Sequence, residues 1–226
     1  MADQHTDPVV VIGLGRFGSA LARQLADQGT EVLAIDSSEK AVTAIAGQVP
    51  NAAIADTTDI EALRQLGVPD FQHAVCAIGS DMQASILTTG VLSDLQVPDI
   101  WAKAVSMQHR DILLRVGAHH VVLPEHDMGE RIAHLLTGRL LDYVELDEDF
   151  AMIKTKPPRD LVGMSLLEAR ERSVLSAGVT VVAVKRETDG AGAQFGPAHG
   201  DTVLMYGDTI LAVGRVRELE RFSTLD

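Results

Sequence analysis

Gly13, Gly15 and Gly18 stand at the spacing G-x-G-x-x-G, with Arg16 and Phe17 between the second and third. The apolar run Val9–Ile12 leads into them, and a helix-forming stretch follows. That pattern gives each glycine a task. Gly13 makes a tight turn, Gly15 lets a phosphate approach the backbone, and Gly18 lets helix and strand pack closely. A helix that starts here offers unpaired N–H donors and a partial positive charge to an anion. Asp36 ends the next apolar run, 23 residues after Gly13. A carboxylate there accepts hydrogen bonds from ribose hydroxyls and disfavours a 2′-phosphate. The chemistry is therefore nucleotide binding. The competing reading is a glycine turn kept for packing alone.

Arg16 bears on which nucleotide. Its guanidinium complements a diphosphate, but its two-pronged fork suits a terminal phosphate better. It could equally be a solvated first-turn residue. Asp56 ends the third apolar run within reach of an adenine, or caps the helix of "TTDIEAL". Ser37, Thr57, Ile78, Gly79 and Lys103 complete the candidate set; "AIGSD" ends the fourth strand, where Gly79 and Ser80 are expected to border the ribose and phosphates. A hydride-transfer enzyme would also need a proton donor facing its cofactor. No Tyr-x-x-x-Lys occurs, and the eight histidines are scattered. His119, His120 and His134 are read as structural or exposed. Cys76 is read as a buried, inert thiol. No spacing suggests zinc. The composition favours a nucleotide sensor over an enzyme.

The elements that position these residues alternate regularly. Strands are predicted at 9–12, 31–35, 52–55, 73–78, 100–105 and 120–123. Helices are predicted at 16–28, 39–47, 60–66, 82–95 and 108–116. That repetition implies a Rossmann-type, doubly wound parallel sheet with helices on both faces. Gly90 interrupts the fourth helix, with close packing one possible reason. A helix at 128–137 is expected to start on an Asp127/Glu130 capping box and to stop at Gly138. From there a small α+β unit is expected. It has strand-like "LLDYVELDEDFAMIKTK", a helix at 165–172 and the strand "VTVVAVKR". A Gly-rich turn "ETDGAGAQFG", strands "DTVLMYG" and "DTILAVG" and a closing helix at 215–222 follow. The domains are drawn at 1–140 and 141–226.

Formal net charge is −13. Nucleic acid and anionic lipid are repelled by such a surface unless a basic patch exists. Lys154/Lys156, Arg170/Arg172 and Lys185-Arg186 are short clusters and read as solvated faces. One cysteine allows no intrachain disulfide, which suits a reducing cytosol. "MADQHTDP" lacks an apolar core, so no secretory leader is expected. Apolar runs are far short of the roughly 20 residues that span a bilayer. A soluble protein is expected.

Several stretches together resemble a known family. "VIGLGRFGSALARQL", "VLAIDSSEKAV", "AIGSDMQASILTT", "IWAKA" and "VGAHHVVLPEHDMGERIA" are similar to the regulatory subunits of Ktr/Trk potassium-uptake systems, the RCK proteins. The likeness runs through residues 8–140. "VTVVAVKR…GDTILAVGRVRELERF" looks more loosely like the small C-terminal RCK domain. The resemblance implies homodimers assembling into a ring, commonly an octamer, in the cytoplasm. The ring docks on the inner face of a potassium-translocating membrane subunit of the KtrB or TrkH type. By the same resemblance, ATP and ADP are expected to compete for the glycine-loop site and to switch that subunit without chemistry on the nucleotide. The resemblance also implies that Arg16 reaches a terminal phosphate and that Asp36 holds the ribose. It further implies that Glu125 takes part in binding a divalent cation, magnesium or calcium, at the dimer interface. Read without the family, Glu125 is an acid ahead of a helix. Some relatives bind cyclic di-AMP in the C-terminal domain, where Val174, Ala177, Val179 and Pro197 line a cleft or belong to the core. The alternatives are an NAD(H)-binding redox sensor of the Trk type, a regulator of a cation–proton antiporter, and a small oxidoreductase completed by a partner chain.

Overall fold

The computed structural model describes residues 7–137, 140–188 and 192–223. The chain forms two compact units, Met1–Glu125 and His126–Asp226. The division falls ahead of the helix expected at 128–137, rather than after it.

The first unit alternates strand and helix. The strands are β1 Val9–Ile12, β2 Val32–Asp36, β3 Asn51–Ile54, β4 His73–Cys76, β5 Asp99–Lys103 and β6 His120–Val122. Between them lie α1 Arg16–Asp27, α2 Glu39–Ile45, α3 Ile60–Gln65, α4 Met82–Asp94 and α5 Met107–Arg115. All strands pair in parallel, in the order β3-β2-β1-β4-β5-β6. This is the doubly wound order expected. β1 is wholly buried because "VVVI" has an apolar side chain for each face. One core cluster includes Val10, Ile12, Leu33, Ile35, Leu92 and Leu113. Another includes Val9, Val11, Ala22, Val32 and Ile45. Alternate residues of β1 thus serve opposite layers. Ser38, Asp59, Asp81 and Ser106 cap α2, α3, α4 and α5 with side-chain oxygens. An added Cβ at Gly90 would meet nothing within 4 Å, so packing within this chain does not require that glycine.

Helix α6 runs Pro124–Thr137. It begins before the expected capping box, because Pro124 is suited to the first helical position. Asp127 therefore lies inside the helix. Gly138 falls outside the described residues.

In the second unit an antiparallel sheet has the order β10-β9-β11-β8-β7. Its strands are β7 Leu140–Asp147, β8 Phe150–Thr155, β9 Val179–Thr188, β10 Gly192–Pro197 and β11 Thr209–Arg215. Helices α7 Leu166–Glu171 and α8 Val216–Ser223 complete it. Tyr143, Ile153, Leu161, Leu204, Ile210 and Phe222 belong to its core. Two expectations are corrected. Residues 192–196, read as turn, belong to a strand that runs to Pro197 and pairs with β9. Residues 201–207, read as strand, form a loop with one bridge, Val203 to Ser165. Asp208 pins that loop. It accepts from Arg186 Nε at 2.8 Å and from Met205 N at 2.8 Å, and Arg186 Nη2 donates to Val203 O at 2.8 Å. No helix among the described residues is long and apolar enough to cross a membrane.

Candidate functional site

The strand order of the first sheet reverses between β1 and β4, and ligands of such sheets bind outside the strands' carboxyl ends at that point. A cavity of about 380 Å³ opens there, within the range of small-molecule clefts. Gly13, Gly15, Arg16 and Phe17 line it from the glycine loop and the start of α1. Asp36 and Ser37 line it from the end of β2, and Asp56 and Thr57 from the end of β3. Ile78 and Gly79 follow β4, Lys103 ends β5, and Glu125 follows β6. Of the candidate nucleotide-site residues, all but Gly18 line this one cavity.

Gly13 adopts φ +89°, where a side chain is strained, and a Cβ would press on Ile78. At Gly15 a Cβ would meet nothing within 4 Å, so this backbone faces open space. Gly18 is buried, and its Cβ would overlap the carbonyl oxygen of Gly13. Its role is to let helix and loop close on each other. Gly15 is the N-cap of α1 and no side chain caps that end. Four other helices of the unit have side-chain caps. The glycine loop thus leaves the N-terminus of α1 to an incoming anion.

Asp36 braces the loop it faces. Its Oδ2 accepts from Leu14 N at 2.6 Å and its Oδ1 from Ser38 N at 2.8 Å. A carboxylate oxygen has capacity for a second bond, so the brace leaves room for hydroxyl donors. Asp56 accepts from Thr58 N at 3.0 Å and Thr58 Oγ1 at 2.7 Å. Chiefly through the Thr58 hydroxyl, these bonds hold its carboxyl below the usual range. Thr57 is turned inward and shares a hydrogen bond of 2.8 Å with Thr88 of α4, which ties the β3 end to that helix.

Charge converges at one end of the cavity. Lys103 Nζ donates to Glu125 Oε1 at 2.7 Å and lies 5.9 Å from the Phe17 ring centroid. The Lys103 side chain is only 11% exposed against 65% for Glu125, so the ammonium is the sheltered partner and the carboxylate the movable one. The Lys103 hydrogen bond holds the Glu125 carboxyl below its usual range, and the charge of Arg16 adds to this. Arg16, Lys103 and Glu125 therefore share one field. As a cation site Glu125 is one carboxylate already bonded to an ammonium. The described residues contain no group of three or more metal-ligating side chains. A single carboxylate makes a poor site for such a cation, which takes six or more oxygen ligands.

Thr58, Asp81 and Ala84 also line the cavity and were not singled out. Asp81 carries a readable signal, an N-cap acid ahead of a helix, and its Oδ1 accepts from Ala84 N at 2.9 Å. Other candidates lie elsewhere. Cys76 is buried, and burial pushes its thiol up, which keeps it unreactive. His120 stacks on Trp101 and His134 on Tyr143. Val179 is fully buried and Val174 packs against the same core, while Ala177 and Pro197 are exposed.

Residues 9–124 match the TrkA-N domain and residues 150–225 the TrkA-C domain. The chain is 38% identical over 213 residues to Ktr system potassium uptake protein C of Bacillus subtilis, covering 94% of each. It is 36% identical over 205 residues to Ktr system potassium uptake protein A of Vibrio alginolyticus, covering 90% of each. Among solved structures, the GsuK channel bound to NAD superposes with a TM-score of 0.64 at 15% identity. That match covers 97% of this chain and 39% of the channel chain. The GsuK channel bound to ADP superposes with a TM-score of 0.50 at 16% identity, over 57% of this chain and 34% of that one. At such identity the structures share the fold.

Proposed function

The chain belongs to the family built from TrkA-N and TrkA-C domains, that of the Ktr potassium uptake proteins, and on that premise we propose that it is a nucleotide-sensing regulatory subunit of a potassium uptake system. The observation that carries this reading is the convergence of Arg16, Lys103 and Glu125 at one end of the glycine-loop cavity. A nucleotide with its ribose toward Asp36 runs its phosphates past the N-terminus of α1 toward Arg16. A third phosphate brings an anion that competes with Glu125 for Lys103. ATP opens that ion pair and ADP leaves it closed, so the two stabilise different arrangements of Glu125. Without such a difference in affinity neither nucleotide could switch anything.

The ligand switches and is not consumed. The protein acts as a homodimer within an octameric ring at the cytoplasmic face of the membrane, bound to a potassium-translocating subunit. A divalent cation at Glu125 would take its further donors from the partner chain or the nucleotide. Cyclic di-AMP in the second unit rests on the family resemblance, and titration calorimetry tests it.

The test is a thermal-shift series with ATP, ADP, AMP and NADH, each with and without magnesium. A ligand that binds only the native state raises its stability by mass action. ATP and ADP are expected to give large, unequal shifts. Arg16→Ala is expected to narrow the gap between them while AMP binding persists. If the variant separates ATP from ADP as the parent does, Arg16 does not read the terminal phosphate. Asp36 also suits the unphosphorylated ribose of NAD(H), the ligand of one structural relative. A series dominated by NADH would make the protein a redox sensor.

A further inference from the structure

The second unit holds a cavity of about 370 Å³ that the nucleotide reading does not use. Lys156, Pro157, Pro158, Arg159, Val162 and Tyr206 are among its lining residues, and no described lining residue is acidic. The chain has 32 acidic and 19 basic residues, so two cations without an acid run against its composition. Lys156 Nζ donates to Gly207 O at 3.1 Å and Thr209 Oγ1 at 3.0 Å. Both acceptors are neutral, so these bonds aim the ammonium; the Asp208 carboxylate, which also feels its charge, is buried and bonded to Arg186. Arg159 has no ion pair among the described residues. Tyr206 is 92% exposed. It nevertheless stands on the loop pinned by Asp208, itself 2% exposed and bonded to Arg186. A ring held out on a braced loop binds with little loss of conformational freedom.

We propose that this cavity is a second small-molecule site, for a compact organic anion that carries a flat ring. The anionic group sits on Lys156 and Arg159, and the ring lies against Tyr206 and the two prolines. Arginine and tyrosine suit those two tasks by charge geometry and by face. The volume is at the small end for ligand clefts, which fits a mononucleotide or an aromatic carboxylate. The proposal does not depend on what binds the first unit.

The chain has two tyrosines, which gives a reporter specific to the site. The full chain carrying fluorotyrosine shows one ¹⁹F resonance from Tyr206, assigned by its loss in Tyr206→Phe, and one from Tyr143. The probes are adenosine 5′-monophosphate, 4-hydroxybenzoate and inorganic phosphate. A saturable shift of the Tyr206 resonance is expected with one ring-bearing anion at concentrations where phosphate gives none. Which anion acts identifies the source. Arg159→Gln is expected to weaken that binding by about tenfold or more. The Arg159 side chain has no ion pair or hydrogen bond among the described residues, and its backbone carbonyl, which accepts from Val162 N, is kept in the variant. The proposal is overturned if neither ring-bearing anion moves the resonance. It is equally overturned if phosphate moves it as strongly, or if Arg159→Gln binds as the parent does.

Discussion

Gly15 and Gly18 are three residues apart and are expected to respond to the same methyl group in opposite ways. Gly15 has an ordinary φ of −68° and open space where its Cβ would go. Gly15→Ala should change stability by no more than about 0.5 kcal/mol, yet weaken nucleotide binding about tenfold by blocking phosphate approach. Gly18→Ala must push α1 off the Gly13 carbonyl, at a cost of about 1–3 kcal/mol before any ligand is added. Urea denaturation of the free protein beside a nucleotide titration separates the two. Equal stability losses would mean that Gly15 is a packing glycine too. Asp36 has a comparable double use, since the loop N–H it braces belongs to the residue between two glycines of the motif.

Elements differ in how far the sequence reveals them. The glycine loop and Asp36 are legible because their constraints are local: a turn, a helix start and a strand end. The Lys103–Glu125 pair is not, because it joins β5 to the chain beyond β6 and only the parallel register brings them together. The Thr57–Thr88 bond is hidden for the same reason. "DTVLMYG" looks like a strand by its apolar content, but Arg186 binds the Val203 carbonyl and Asp208, so the segment closes into a loop. Asp127 and Glu130 read as a capping box, yet α6 starts at Pro124, which suits the first helical position. At α5 a buried histidine makes a prediction of its own. His109 is 1% exposed, its Nδ1 accepts from Val105 N at 3.3 Å, and its Nε2 has no partner among the described residues. Burial pushes its pKa down. The unfolded chain therefore takes up a proton below about pH 6.5 that the folded chain refuses. Stability is full above that value and declines as pH falls toward the lowered folded value. His109→Asn keeps the acceptor for Val105 and removes the titration. It is expected to flatten this limb of a stability–pH curve measured between about pH 5 and 8. An unchanged limb would assign it to other groups.

Across the whole chain, two units with separate cores are expected to give two calorimetric transitions. Nucleotide at 100 times its Kd adds about 2.7 kcal/mol to the unit that binds it. ATP is therefore expected to raise the transition of the first unit and leave the other in place. A single transition, or an equal rise in both, would show that the cores melt together. The position of β1 has another consequence, for the chain as it is made. β1 lies at the centre of its sheet, and its second neighbour, β4, begins only at His73. At 5–20 residues per second, the ribosome takes on the order of 3 to 13 seconds to travel from the end of β1 to the end of β4. Throughout that interval Val9–Ile12 is a bare edge of four apolar residues. A translational stall before β4 is made would hold a nascent chain on the ribosome with that edge open to pairing with its neighbours on the polysome. Chaperone protection of this protein is needed most in that interval.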